Sequence, residues 1–126
     1  MPWEFNSKEP VFVQIVDKIR ADIINGTYPP GSQIPPVRQL AAEAAVNPNT
    51  MQRALGELEH EGLLESRGTV GRFVTENLAV IQKTNDTTKN EVLTKLVEEA
   101  EALGISDGEI IAFVTRRKAE KSNVNQ

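Results

Sequence analysis

Residues 46–66, VNPNTMQRALGELEHEGLLES, decide how the rest of the chain is read. Asn47 is a helix-capping residue, and Pro48 suits a first helical turn, where a missing N–H costs nothing. Met51, Ala54, Leu55 and Leu58 then recur at i, i+3, i+4 and i+7 and form one apolar stripe. Asn49, Gln52, Arg53 and Gly56 repeat that spacing on another face, which holds no carboxylate before Glu57. A helix that packs on one side and offers amides and a guanidinium on the other is the pattern of a DNA recognition helix.

Upstream, Val37, Leu40, Ala41 and Ala44 mark a short helix whose small inner residues let another helix approach closely. Ala45 and Val46 lead through a tight turn into the Asn47-capped helix, which predicts helix-turn-helix geometry. Before it, TYPPGSQIPP at 27–36 carries four of the seven prolines and reads as a turn-rich connector, with Gln33 and Ile34 as a short strand. An amphipathic helix from Val11 precedes it, with Phe12, Ile15, Val16, Ile19 and Ile23 on one face and Asn25-Gly26 as its stop. Trp3 and Phe5 are expected to anchor an extended N-terminal arm to the core.

Downstream, Leu63–Arg67 and Arg72–Thr75 are strand-like runs around Gly68-Thr69-Val70-Gly71, a hairpin signal. Three helices closed by a hairpin define a winged helix, with Arg67 and Arg72 flanking the wing tip where phosphate would meet them. After Glu76 a weak stripe from Leu78 and Ile81 runs into QKTNDTTKN, which reads as helix or as linker. Leu93, Leu96, Val97, Ala100 and Leu103 then line a clear helical face that ends at Gly104. Ser106 and Glu109 form a capping box for a last helix carrying Ile110, Phe113 and Val114, with Ile105 and Ile110 as its hydrophobic staple. This helix is expected to fray into RRKAEKSNVNQ. Two such helices cannot close a core alone, and a second copy of the pair is the economical partner, so a homodimer is expected. The fold class is mainly α with a small β wing. The expected organisation is a winged helix-turn-helix domain at 1–76 and a two-helix dimerisation tail at 77–126.

The composition adds limits. Net charge is −4 with no cysteine, and hydrophobic residues make up 39% with 5% aromatic, so the core is aliphatic. Absence of Cys excludes a disulfide framework or thiolate metal site and fits a reducing cytoplasm. No apolar run of about 18 residues suggests a membrane span, and the N-terminus lacks a signal-peptide pattern. The acidic sum opposes DNA binding at first sight, yet Arg38, Glu43 and Arg53 are the only charges between Pro35 and Gly56. Carboxylates crowd instead at Glu57–Glu65 and at Glu98, Glu99 and Glu101, so the candidate surface is locally cationic. His60 stands alone among glutamates and has no partners at metal-ligand spacing. No nucleophile–base set, phosphate loop or metal cluster is present, so neither enzyme activity nor a cofactor is expected.

The stretch PVFVQIVDKIRADIINGTYPPGSQIPPVRQLAAEAAVNPNTMQRALGELEHEGLLESRGTVGRFV resembles the N-terminal winged-helix domain of the GntR family of bacterial transcription regulators. The motifs are G-x-x-x-P-G-x-x-I-P, V-R-x-L-A, V-N-P-N-T and L-E-x-E-G-L-L, and the short helical tail resembles the YtrA-type branch. The resemblance implies a homodimer on a two-fold symmetric double-stranded DNA operator, usually as a repressor and often of a transporter operon. It implies DNA contacts from Arg38, from Asn49, Thr50, Gln52 and Arg53, and from Arg67 and Gly71 in the wing. Two departures stand out. Pro36 replaces a common Ser, and the wing reads Arg67-Gly68-Thr69-Val70-Gly71-Arg72-Phe73, with Thr69 at a common glycine position and Arg72 at a common threonine.

Some residues carry a second reading. Arg53 is spaced to pair with Glu57 as well as to meet DNA. The alternative for the whole chain is a winged-helix protein-interaction module without DNA binding, which the acidic charge motivates. Any small-molecule effector is expected between the winged helix and the tail, with no residue to identify it.

Overall fold

In a computed structural model, residues 3–124 are described. Helix α1 (Val11–Ile24) buries Ile15, Val16, Ile19 and Ile23, the stripe its periodicity dictates, and stops at Asn25. The arm before it is held by Gln14, whose Oε1 accepts from the Asn6 N–H at 3.0 Å while its Nε2 donates to the Glu9 carbonyl at 2.8 Å. Trp3 and Phe5 pack against the core beside it, as their alternation suggested.

Helix α2 (Val37–Ala44) buries Leu40, Ala41 and Ala44, and α3 (Pro48–His60) buries Met51, Ala54, Leu55 and Leu58. With α1 they enclose the core, which Ile34, Leu63, Leu64 and Val74 complete. Strands β1 (Leu64–Arg67) and β2 (Gly71–Val74) pair antiparallel, Leu64 opposite Val74 and Arg67 opposite Gly71. The connector covers the outer edge of β2: Gln33 bridges Phe73, and the Ile34 N–H donates to the Arg72 carbonyl at 3.0 Å. The expected short strand at Gln33-Ile34 is this bridge.

The turn between α2 and α3 rests on an unusual residue. Ala45 adopts φ +58°, ψ +46°, left-handed backbone that residues with a Cβ rarely take. It persists because the Val46 N–H reaches the Ala41 carbonyl at 3.0 Å and the Ala45 N–H the Ala42 carbonyl at 3.2 Å, closing the end of α2. Glycine would relieve the Cβ crowding at some cost in unfolded-chain entropy. Ala45→Gly is therefore expected to raise stability by about 0.5–1 kcal/mol. Thermal unfolding checks this, and a lowered midpoint would contradict it.

Helix α4 (Leu78–Ala102) runs unbroken, so QKTNDTTKN is helical and not a linker. Asn77 caps it, its Oδ1 accepting from the Ala79 N–H at 3.1 Å, and Val80 and Ile81 pack on the core. The stretch propagates from that anchored turn, with the Gln82 amide donating to Asp86 at 3.0 Å. The compact units divide inside this helix, into Met1–Asp86 and Thr87–Gln126.

In the second unit, α4 closes at Gly104, where the Ile105 N–H donates to the Ala100 carbonyl at 2.9 Å. The capping box forms in full: the Glu109 N–H donates to Ser106 Oγ at 3.1 Å, and the Ser106 N–H to Glu109 Oε2 at 3.2 Å. Helix α5 (Asp107–Val124) does not fray after Val114 but continues to Val124. Arg116, Arg117, Lys118, Ala119, Glu120 and Lys121 all favour helix, and Lys121 in the last turn complements the dipole as Asp107 and Glu109 do in the first. Of the tail stripe only Ala100 is buried. Leu93, Leu96, Val97, Leu103, Phe113 and Val114 are exposed, joined by Val92 and Ile111, and Ile110 is half-buried.

No helix among the described residues is long and apolar enough to cross a membrane, and no group of three metal-ligating side chains occurs there.

Candidate nucleic-acid interface

The outer face of α3 is set by its first turn. Asn47 Oδ1 accepts from the Asn49 N–H at 2.7 Å, and the Thr50 and Met51 N–H groups reach the Asn47 carbonyl at 3.0 and 3.1 Å. With Met51 and Leu55 wholly buried, the helix is fixed in rotation. Asn49, Gln52, Arg53 and Gly56 must then face outward, and all four are exposed, while Thr50 is half-buried at the edge. A side chain at Gly56 would meet nothing within 4 Å, so the glycine leaves this face flat.

Arg38, the second residue of α2, is exposed and makes no ion pair among the described residues. Arg53 is engaged across the domain. Its guanidinium carbon lies 3.6 Å from the centre of the Phe12 ring on α1, a cation–π stack that takes the place of the Glu57 pairing its spacing allowed. Its N–H groups make no ion pair among the described residues and can still donate.

The wing divides the two arginines that flank its tip. Arg67 is exposed, 4.2 Å above the Phe73 ring and 3.6 Å from a Glu65 carboxylate oxygen. Arg72 lies one residue nearer the core in strand parity. It shares the inner face with Val74, and its guanidinium pairs with Glu59 near the end of α3. Its side chain is only 15% exposed. The expected wing cation at position 72 is thus turned inward, because alternation about buried Val74 points it towards α3.

The turn itself is unperturbed by Thr69. Gly68 supplies the left-handed φ of +54° and the Val70 N–H closes on the Arg67 carbonyl at 3.0 Å, so Thr69 needs no special conformation. Gly71 serves geometry of another kind. At φ +131° a Cβ there would stand 2.7 Å from Gln33 Nε2, the amide that donates to the Val70 carbonyl at 2.7 Å.

The run of carboxylates from Glu57 to Glu65, an acidic shoulder at the end of α3, is partly discharged within the domain. Glu59 pairs with Arg72, and Glu61 takes a bidentate pair from Arg20, Nε to Oε1 at 2.9 Å and Nη2 to Oε2 at 2.8 Å. Burial works against the Arg20 charge, but the hydrogen bonds and fields of Glu61 and Asp17 outweigh it and hold its pKa above the ordinary value. These carboxylates therefore look back at α1 and the wing. Phe12, Gln33 and Glu59 are the contributors that sequence reasoning did not assign to the site. Strand parity from Val74 was the one signal able to implicate Glu59.

The model of the gntR family of bacterial regulatory proteins matches residues 12–74. The chain is 32% identical to the transcriptional repressor YtrA of Bacillus subtilis, over 79% of this chain and 77% of that one. A GntR family regulator from Listeria monocytogenes superposes with a TM-score of 0.83 at 33% identity, covering 89% of this chain and 98% of the other. The DNA-binding domain of AraR, solved in complex with operator ORX1, covers 60% of this chain and 95% of its own, with a TM-score of 0.54 at 26% identity.

Proposed function

This chain belongs to the gntR family of bacterial regulatory proteins and is a helix-turn-helix transcriptional regulator, and from that premise we propose that it binds a two-fold symmetric operator as a homodimer and represses transcription. Residues 1–76 are the DNA-binding part and residues 77–126 the dimerisation tail. Each subunit lays α3 in a major groove with Asn49 and Gln52 towards base edges, whose amides suit adenine bidentately. Arg38, Thr50 and the Arg53 guanidinium meet phosphate, and Arg67 extends the contact from the wing. Gly71 acts by setting the wing backbone against Gln33. The regulated genes are of the transporter class, and the protein works in the cytoplasm.

The observation that carries the reading is the outer face of α3. It is held in rotation by buried Met51 and Leu55, and up to Gly56 it presents two amides, a guanidinium and a glycine with no carboxylate before Glu57. Glu59 and Glu61, the carboxylates beyond Glu57, are held in ion pairs with Arg72 and Arg20, which favours DNA over a protein partner for this surface. The operator reading of AraR's DNA-binding domain supports the same use of the same fold.

Selection of bound sites from random DNA tests this directly. Recovered sites are expected to be inverted repeats, and affinity for them should fall steeply with salt, each neutralised phosphate contributing about −0.9 to the slope of log K against log salt. Recovery of no sequence, or a flat salt response, would overturn the reading and favour the protein-interaction alternative.

A further inference from the structure

Arg72 is the wing residue whose chemistry the operator reading leaves unused. It departs from the threonine common at its position in the family motif, and as an arginine beside a wing tip it has the credentials of a phosphate contact. Its geometry assigns it otherwise. Val74, two residues on, is fully buried, so the inner face of β2 is turned to the core. On that face the Arg72 guanidinium meets Glu59, with side-chain exposures of 15% and 31%. A half-buried charge-assisted bond is among the stronger polar contacts a small domain makes, and it gives a fixed direction as well as attraction. On that side Leu64 and Val74 seat the inner end of the hairpin in the core, and the Arg72–Glu59 pair is the polar tie nearer its tip. Its outer edge is held by the 31–34 connector and by Gln33, which reaches the Val70 carbonyl.

We propose that Arg72 and Glu59 are positioning residues for operator binding: their ion pair fixes the wing to the recognition helix, so that Arg67 and α3 meet the DNA at a set spacing. This rests on the operator reading above. Glu59 lies on the last turn of α3 and Arg72 on β2 opposite Ser66, one pair from the wing tip, so the pair joins the recognition helix to the wing. Without it the hairpin keeps its strand register, which its backbone bonds and the connector set, but loses the brace that fixes its angle to α3.

The proposal makes a prediction opposite in sign to bulk electrostatics. Removing a carboxylate from an acidic protein should tighten DNA binding, and would do so further if it released Arg72 to phosphate. Glu59→Gln is instead expected to weaken binding to the selected operator about 5- to 20-fold, as is Arg72→Gln, with the double variant no worse than either single one. The salt slope should become shallower to the same extent in all three, by no more than about 0.9 per subunit, because each loosens the same Arg67 contact. Hydroxyl-radical protection by the wing should weaken while protection by α3 remains.

Tighter binding by Glu59→Gln would overturn the proposal, as would a shallower slope in Arg72→Gln with a parental slope in Glu59→Gln, or strictly additive losses. Circular dichroism at the assay temperature checks folding. Should Arg72→Gln not fold, Glu59→Gln decides the matter: a positioning role predicts weakening, and a phosphate role for a released Arg72 predicts parental or tighter binding. Failure of the parent protein to select any DNA would sink the operator reading itself, an outcome distinct from each of these.

Discussion

Deletion of residues 91–126 is expected to leave a folded monomer that binds the operator roughly 10²- to 10⁴-fold more weakly than the parent. The size follows from linkage. Two half-site contacts joined in one molecule make the second event intramolecular, and overall affinity gains about that factor with no new contact. The folded half of the prediction rests on the core: its buried members lie between Ile15 and Val74, with Val80 and Ile81 packed against it, so the cut removes none of them. The monomeric half rests on the apolar face of the tail. Leu93, Leu96, Val97, Leu103, Phe113 and Val114 are each 41% exposed or more, an extent of apolar surface that single-chain proteins rarely leave in water. Full burial of such side chains contributes about 1.5–3 kcal/mol each, enough in aggregate to hold two subunits together. Sedimentation of the truncated protein checks the first step and operator titration the second. A truncated chain that still sediments as a dimer would contradict the assignment, and so would a full-length chain that sediments as a monomer.

What the sequence disclosed and what it withheld divide along one physical line. Periodicity within an element was legible: the stripes of α1, α2 and α3 are the buried ones, and Asn47, Ser106 and Glu109 cap as their spacing required. Each of these depends on residues within one or two turns. Contacts between elements were not legible. Arg53 stacks on Phe12 from a different helix, and Arg20 pairs with Glu61 forty-one positions away, distances that spacing cannot encode. Arg72 is the instructive middle case. Read as the flank of a turn it is a wing cation, but read as the strand neighbour-but-one of buried Val74 it must face inward. The same limit explains α4 and α5. A run such as QKTNDTTKN has weak intrinsic preference and follows the anchored turn before it, whereas RRKAEK has strong preference that the lack of an apolar stripe concealed.

Arg38→Ala is the second large effect, and it isolates binding from stability. A guanidinium–phosphate hydrogen bond contributes about 1.5–3 kcal/mol, and a dimer loses two of them, so affinity for the selected operator should fall by about 10²- to 10⁴-fold. The salt slope should become shallower by about 1.8, two phosphates at 0.9 each. The unfolding midpoint should not move, because Arg38 is exposed and surrenders no ion pair within the described chain. Substitutions at Arg20 or Arg72 carry no such separation, since each removes a partner from a half-buried carboxylate and so disturbs the fold as well as the surface. Arg38→Lys refines the point: it should retain the parental slope while losing part of the affinity, because an ammonium keeps the charge without the two-pronged geometry. Parental affinity in Arg38→Ala would place the start of α2 outside the interface, and α3 with the wing would then have to supply every phosphate contact.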